Sequence, residues 1–300
     1  MNEALTKNNE FFFNTEGAVF MGAKRDPKNC QIGIFGIPYD GTTSFRPGSR
    51  FGPTAIREVS NSLETYCPEL LLDLEDVNYV DLGNLEIPFG SPEPVVELGK
   101  KATEKILNLG LKPLIIGGEH SITSGCVEAT VNNYPELVLV QLDAHADMRE
   151  SWLGSTHNHA CSMARCLDVL PSKRLFQVGI RSGTKEEFKN MHKNQSLISH
   201  IHGQKAEHLN EVLNPLKGQP IYLSIDLDWF DPSIMPGTGT PEPGGYLWQD
   251  FMSVVNVLKK HFIVATDVVE LAPQLDRSNI SSILAAKIIR SILLVLSLES

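Results

Sequence analysis

Short apolar runs alternate with helical periodicity along most of this 300-residue chain. Residues 31–37, 77–81, 113–116, 137–142, 175–180, 221–225 and 262–269 read as strands. Residues 54–63, 92–109, 121–132, 161–170, 248–260 and 280–298 read as helices, with Pro53 near the start of the first and Gly110 closing the second. The strands are nearly continuous apolar runs. A strand with one face in water would alternate; a continuous run is buried on both faces, as in a parallel sheet covered by helices above and below. An α/β fold is therefore expected. No linker, repeat or low-complexity stretch divides the chain, so residues 1–300 read as one domain, with residues 1–30 as an N-terminal arm.

Three of the strand-like runs lead into polar clusters: Gly117-Gly118-Glu119-His120, Asp143-Ala144-His145-Ala146-Asp147 and Ser224-Ile225-Asp226-Leu227-Asp228. Side chains at i, i+2 and i+4 of a strand share a face, and ligands of open α/β sheets bind beyond the carboxyl ends of the strands. Three strands could thus bring His120, Asp143, His145, Asp147, Asp226 and Asp228 to one crevice. Four carboxylates and two imidazoles are too many for one metal and suit a pair of divalent cations activating a shared water. Four aspartates balance the charge of two such ions. Carboxylate oxygens are hard donors that favour manganese, and no cysteine lies in the clusters to point to zinc, although iron, cobalt, nickel and zinc stay open. A single Asp-x-Asp commonly marks a solvated strand end; the weight comes from three clusters, each behind an apolar run. Glu119 either orients the His120 imidazole or points away from it.

The bulk composition narrows the field. A net charge of −10 argues against a nucleic-acid face, which needs clustered Lys and Arg. Five cysteines, Cys30, Cys67, Cys126, Cys161 and Cys166, are scattered with no Cys-x-x-Cys. They read as free thiols in a reducing compartment. The first residues lack an apolar signal core, so a cytoplasmic protein is expected. Residues 283–298 are the most apolar, but Lys287 and Arg290 interrupt them, which suggests a buried helix and not a membrane span. The Phe11–Phe13 cluster is a candidate contact of the arm with the domain or a neighbour.

The three clusters, the continuation Asp231-Pro232 and Pro236-Gly237-Thr238-Gly239-Thr240-Pro241-Glu242-Pro243-Gly244-Gly245, and the segment Arg46-Pro47-Gly48-Ser49-Arg50-Phe51-Gly52-Pro53 together resemble the ureohydrolase family over roughly residues 30–295. That resemblance implies a three-layer α/β/α fold with a mostly parallel sheet, two Mn²⁺ per subunit and hydrolysis of a guanidino group to an amine and urea. By the family pattern, His120, Asp143, Asp147 and Asp228 serve one ion. Asp226 and Asp228 can reach both. His145 serves the other, with Asp143 and Asp226 bridging, and Asp147 also accepts a hydrogen bond from the activated water. His159 matches the family's proton-shuttling histidine, with His157 as its rival, and Glu270 matches the carboxylate that grips the guanidinium. The chemistry agrees: a planar guanidinium pairs with a carboxylate, and a leaving amine needs a proton from a group titrating near neutrality. The other histidines, His192, His200, His202, His208 and His261, are expected on the surface. The family's trimers and hexamers imply a homo-oligomer.

The resemblance also bears on the substrate. Arginases place an Asn two residues after the last ligand of the Asp-x-His-x-Asp cluster; here that residue is Arg149, and the loop to His159 is one residue shorter. With Gly154, this is similar to the family branch acting on agmatine, so the expected reaction is agmatine plus water giving putrescine plus urea. A guanidinobutyrate hydrolase is the nearest alternative, and an inward-pointing Arg149 would favour that acid. Trp229, Phe230 and Met235 either narrow the pocket or face the interior. Outside the family's chemistry stand a single-zinc deacetylase-like hydrolase and a catalytically dead homologue.

Overall fold

The computed structural model describes residues 13–14, 16–171, 173–198 and 205–298. Its strands are β1 (Phe13–Asn14), β2 (Ile32–Ile37), β3 (Tyr66–Cys67), β4 (Leu72–Asp73), β5 (Tyr79–Leu85), β6 (Lys112–Gly117), β7 (Val138–Leu142), β8 (Leu175–Val178), β9 (Leu197–Ile198), β10 (Pro220–Asp226) and β11 (Phe262–Val269). Its helices are α1 (Gly52–Ser60), α2 (Pro92–Asn108), α3 (Thr123–Asn133), α4 (Ser162–Val169), α5 (Lys185–Asn194), α6 (Lys205–Leu213), α7 (Trp248–Leu258) and α8 (Ile280–Leu296). Nine strands form one sheet in the order β1-β5-β2-β6-β11-β10-β7-β8-β9; β3 and β4 pair separately. Within the large sheet every pairing is parallel except that of β1 with β5.

Continuous apolar strands produce this architecture because neighbouring residues feed opposite layers. In β6, Leu114 and Ile116 pack in the layer that holds Ile56 of α1, Phe251 of α7 and Leu293 of α8. Ile115 between them packs in the other layer, with Val95 and Ile106 of α2, Cys126 of α3 and Met163 of α4. The result is the expected three-layer α/β/α arrangement. Arg290, which breaks the apolar run of α8, is buried and donates from Nη1 to the carbonyls of Glu64 and Tyr66. Among the described residues, no helix is long and apolar enough to cross a membrane.

Several elements differ from the sequence expectation. α5, β9 and α6 were not anticipated. In Lys185–Asn194, Phe188 and Met191 are the only large apolar residues, so a 3.6-residue stripe hardly shows. The readable signal was the N-terminal capping box, Thr184 with Glu187. Phe20, Met21 and Ala23, placed in the arm by sequence, lie in the core. Phe13 meets Phe35 edge-on at 6.0 Å, while Phe11 and Phe12 lie outside the described residues. Trp229, Phe230 and Met235 are core residues, with Trp229 stacked on Tyr246 at 4.4 Å. His261 is buried and not on the surface; between α7 and β11, its backbone N–H donates to Leu258 O at 2.9 Å. His192 is exposed and His208 half-buried; His200 and His202 lie outside the described residues. The five cysteines are all free.

Candidate metal centre and substrate crevice

The strands β6, β11, β10 and β7 are neighbours in the middle of the sheet, and the polar clusters extend from their carboxyl ends. Beyond β6, Gly118 donates to Ile37 O at 2.8 Å and Glu119 to Tyr39 O at 2.7 Å. Only glycine fits this approach, since a Cβ on Gly118 would lie 1.9 Å from the Tyr39 carbonyl oxygen. His120 follows in a short 3-10 turn and is buried.

The second cluster does not converge by strand alternation. β7 ends at Leu142, and the chain beyond it is irregular, with a single bridge from His145 to Ser182. Asp147 has a φ of 51°, a left-handed conformation that costs a non-glycine residue about 1–3 kcal/mol. Its carbonyl accepts from Met163 N at 2.9 Å, tying the strained residue to the start of α4. In the third cluster, Asp226 ends β10 and accepts from Asp228 N at 2.8 Å, which turns the chain so that both carboxylates face the crevice.

The six candidate ligands lie together. His120 Nδ1 is 3.1 Å from Asp143 Oδ2, 3.2 Å from Asp147 Oδ2 and 3.2 Å from Asp226 Oδ2. His145 Nδ1 is 2.8 Å from Asp228 Oδ2 and 3.8 Å from Asp143 Oδ1. Two groups able to hold a cation result, His120 with Asp143 and Asp147, and Asp143 with His145 and Asp228. Asp143 belongs to both. The structure sets Asp226 beside His120 and Asp228 beside His145.

The surroundings of His120 suit a metal. Ser224 Oγ donates to Asp267 Oδ1 at 2.7 Å, so it must accept from His120 Nε2, 2.9 Å away. Nδ1 faces three carboxylate oxygens and makes no hydrogen bond. Burial opposes a charged ring, yet Asp143, Asp147 and Asp226 push it well above the imidazole range, so this nitrogen takes up either a proton or a metal ion. The carboxylates say the same. Burial, with Asp228 and Asp147 nearby, pushes Asp143 up to about 7. Burial, Asp228 and Asp143 push Asp226 well above the carboxylate range. Burial opposes a charged His145, yet Asp228 and Asp143 raise it to about 11. These groups compete for protons because they lack positive charge, and divalent ions would supply it. Gln141 Nε2 steadies Asp143 Oδ2 at 2.6 Å, and Ala144 N holds Asp228 Oδ1 at 3.1 Å.

Above this cluster lies a crevice of about 290 Å³ whose lining includes His145, Asp147, Asp226, Asp228, His159 and Glu270. Glu270, with a φ of 70°, accepts from His120 N at 2.8 Å through Oε1. Burial and the nearby Glu119 push its carboxyl well up, and a bound cation would relieve both pressures. His159 faces the crevice, whereas His157 sits 3.8 Å from Glu93 and outside the lining. Burial holds the His159 imidazole below its ordinary value. Arg149 and Trp152 line the mouth, with the Arg149 guanidinium stacked 4.4 Å over the indole. Arg149 Nε is 3.8 Å from Glu187 Oε2, and that carboxylate also anchors Met148 N and Thr184 N. Glu119 turns away from the His120 imidazole, toward Thr42, Thr43 and Ser121. The sequence reading passed over Thr42, Ser224 and Asp267 as site residues. Ser224 lay inside a quoted motif, but single polar residues of this kind carry no signal outside the fold.

The Arginase family profile matches residues 30–295. An agmatinase of Bacillus anthracis is 38% identical, with 93% of this chain and 96% of that protein covered. The mitochondrial guanidino acid hydrolase of Homo sapiens is 32% identical, with 90% and 79% covered. The crystal structure of the agmatine ureohydrolase of Thermoplasma volcanium superposes with a TM-score of 0.83 at 34% identity, covering 91% of this chain and 92% of that one.

Proposed function

The chain belongs to the arginase family, and we propose that it hydrolyses agmatine to putrescine and urea in the crevice above the aspartate–histidine cluster. It is a ureohydrolase, an enzyme that cleaves amidine C–N bonds. The observation that carries the reading is the pair of buried Asp/His groups sharing Asp143, under a crevice that also holds Glu270 and His159.

His120, Asp143, His145, Asp147, Asp226 and Asp228 would hold two divalent ions, Mn²⁺ by the hardness of the donor set. Bound there, the ions supply Lewis-acid activation of a water. The remaining chemistry is the chain's own. Glu270, fixed by His120 N–H, holds the planar guanidinium and sets the face that its carbon presents. Asp147 accepts a hydrogen bond from the attacking water. His159 Nε2 takes a proton from the attacking water and hands it to the departing alkyl nitrogen, so the C–N bond breaks to a neutral amine rather than an amide anion. The carbon keeps the water oxygen as urea, and the amine picks up the remaining hydroxyl proton to leave as putrescine's ammonium. The protein is further taken to be one domain across residues 1–300, a homo-oligomer and cytoplasmic, with neither nucleic acid nor membrane as partner.

A second reading, hydrolysis of 4-guanidinobutyrate, is favoured by Arg149 at the mouth. Against it, Glu187 lies close enough to offset the Arg149 charge. Urea release from agmatine, arginine, 4-guanidinobutyrate and formimidoylglutamate, with Mn²⁺ added, separates the readings. The highest kcat/KM is expected on agmatine. Preference for guanidinobutyrate would transfer the assignment to the acid, and no urea from any compound would end it.

A further inference from the structure

Thr42, in the loop after β2, touches Glu119 and His159 at once. Its hydroxyl donates to Glu119 Oε1 and its backbone N–H donates to Glu119 Oε2 at 2.7 Å. The same buried carboxylate accepts from Ser121 Oγ at 2.6 Å and Thr43 Oγ1 at 3.3 Å. A hydroxyl has one proton and two lone pairs. The Thr42 proton is committed to Glu119, so its other two positions accept. One takes the His159 backbone N–H at 3.0 Å, and the other faces His159 Nδ1 at 3.2 Å. Toward an oxygen with no proton to offer, Nδ1 makes a hydrogen bond only by donating. Nε2 then carries the lone pair of the neutral ring. It lies 3.4 Å from Ser44 Oγ, another residue of the crevice lining. Trp152 meets the ring edge-on at 5.6 Å and limits its swing.

We infer that Glu119 and Thr42 are positioning residues for His159, fixing its Nδ1–H tautomer and aiming Nε2 at the crevice. The inference rests on the reading of His159 as the proton donor to the leaving amine. It makes Glu119 part of the proton-transfer machinery even though it adjoins His120. The arrangement repeats the Asp267–Ser224–His120 chain, in which a carboxylate takes the hydroxyl proton and the hydroxyl oxygen then accepts from an imidazole N–H.

Glu119→Gln gives the sharpest test because it keeps the shape and reverses the hydrogen bonds that Thr42 and Ser121 donate to Oε1. The Thr42 backbone N–H must still find an oxygen, so the amide NH₂ turns toward the Thr42 hydroxyl. Thr42 then accepts from Gln and donates to Nδ1, and the tautomer inverts. The full chain loaded with Mn²⁺ is assayed for urea release from agmatine, or from 4-guanidinobutyrate if agmatine is not turned over. Metal content and Tm are measured alongside. Glu119→Gln and Thr42→Val should lower kcat about 10- to 100-fold, with KM nearly unchanged and metal content kept. Thr42→Ser should restore most of kcat. Wild-type kcat in Glu119→Gln, failure of rescue by Ser, or a parallel loss of bound metal would overturn the inference. If Thr42→Val does not fold, the isosteric Glu119→Gln decides alone. His159→Asn separates the two levels. If it cripples kcat while Glu119→Gln does not, the positioning role alone falls; if it leaves kcat intact, the shuttle reading falls and the inference with it.

Discussion

Asp143 is the residue on which both candidate cation positions depend, since one oxygen faces His120 and the other lies toward His145. Asp143→Ala should abolish urea release and bring bound metal below two per chain. Full activity with two ions in that variant would dissolve the binuclear assignment. Glu270 bears on substrate and not on metal, so Glu270→Gln should leave both ions in place. Losing one member of a buried charge pair costs about 2–5 kcal/mol, which is roughly a 30-fold to several-thousand-fold loss in kcat/KM. An unchanged kcat/KM would mean that the guanidinium is gripped elsewhere. At this scale the ligands were legible in the sequence because their chemistry is unusual at the ends of apolar runs. Thr42 and Asp267 were not, because a lone Thr in a glycine-rich loop and a lone Asp in a strand have common structural uses, and only the fold brings them to an imidazole.

At the scale of elements, the sequence located the Asp143–Asp147 cluster but gave the wrong reason for its convergence. Alternation in a strand would have placed the three side chains on one face. In fact β7 has ended, and a left-handed Asp147, anchored on α4, brings the last carboxylate in. Backbone strain of this kind leaves no mark in residue type, because Asp is as ordinary in a loop as in a cap. The junction after β6 was more legible, since Gly117-Gly118 announces a close backbone approach. Gly118→Ala places a methyl against the Tyr39 carbonyl and should cost about 1–3 kcal/mol or more, lowering Tm by several degrees. Tm and kcat measured together check this. A variant with wild-type values in both would show that the loop before Thr42 has room to move.

For the whole molecule, the continuous apolar strands gave the parallel sheet and its two helical layers before any coordinates. The strand order was beyond sequence reasoning, because it depends on which strands meet across long crossovers. Chelation provides a test at this scale. If the buried carboxylates are balanced by bound ions, removing the metal leaves like charges crowded at the sheet centre. A ligand present at 100 times its Kd stabilises by about 2.7 kcal/mol, so EDTA should lower Tm by several degrees and Mn²⁺ should restore it. A Tm indifferent to EDTA would argue against ions bridging these strands.

The three strands that carry the cluster, and β11 that leads to Glu270, are interior to the sheet, while its two outermost strands, β1 and β9, have two residues each. The candidate ligands are thereby held away from the sheet's edges, while Arg149, Trp152 and Thr184 line the same crevice from the loops beyond it. If those loop residues select the guanidine, related enzymes that attack different guanidines should diverge at Arg149, Trp152 and Thr184 while sharing the Asp/His floor.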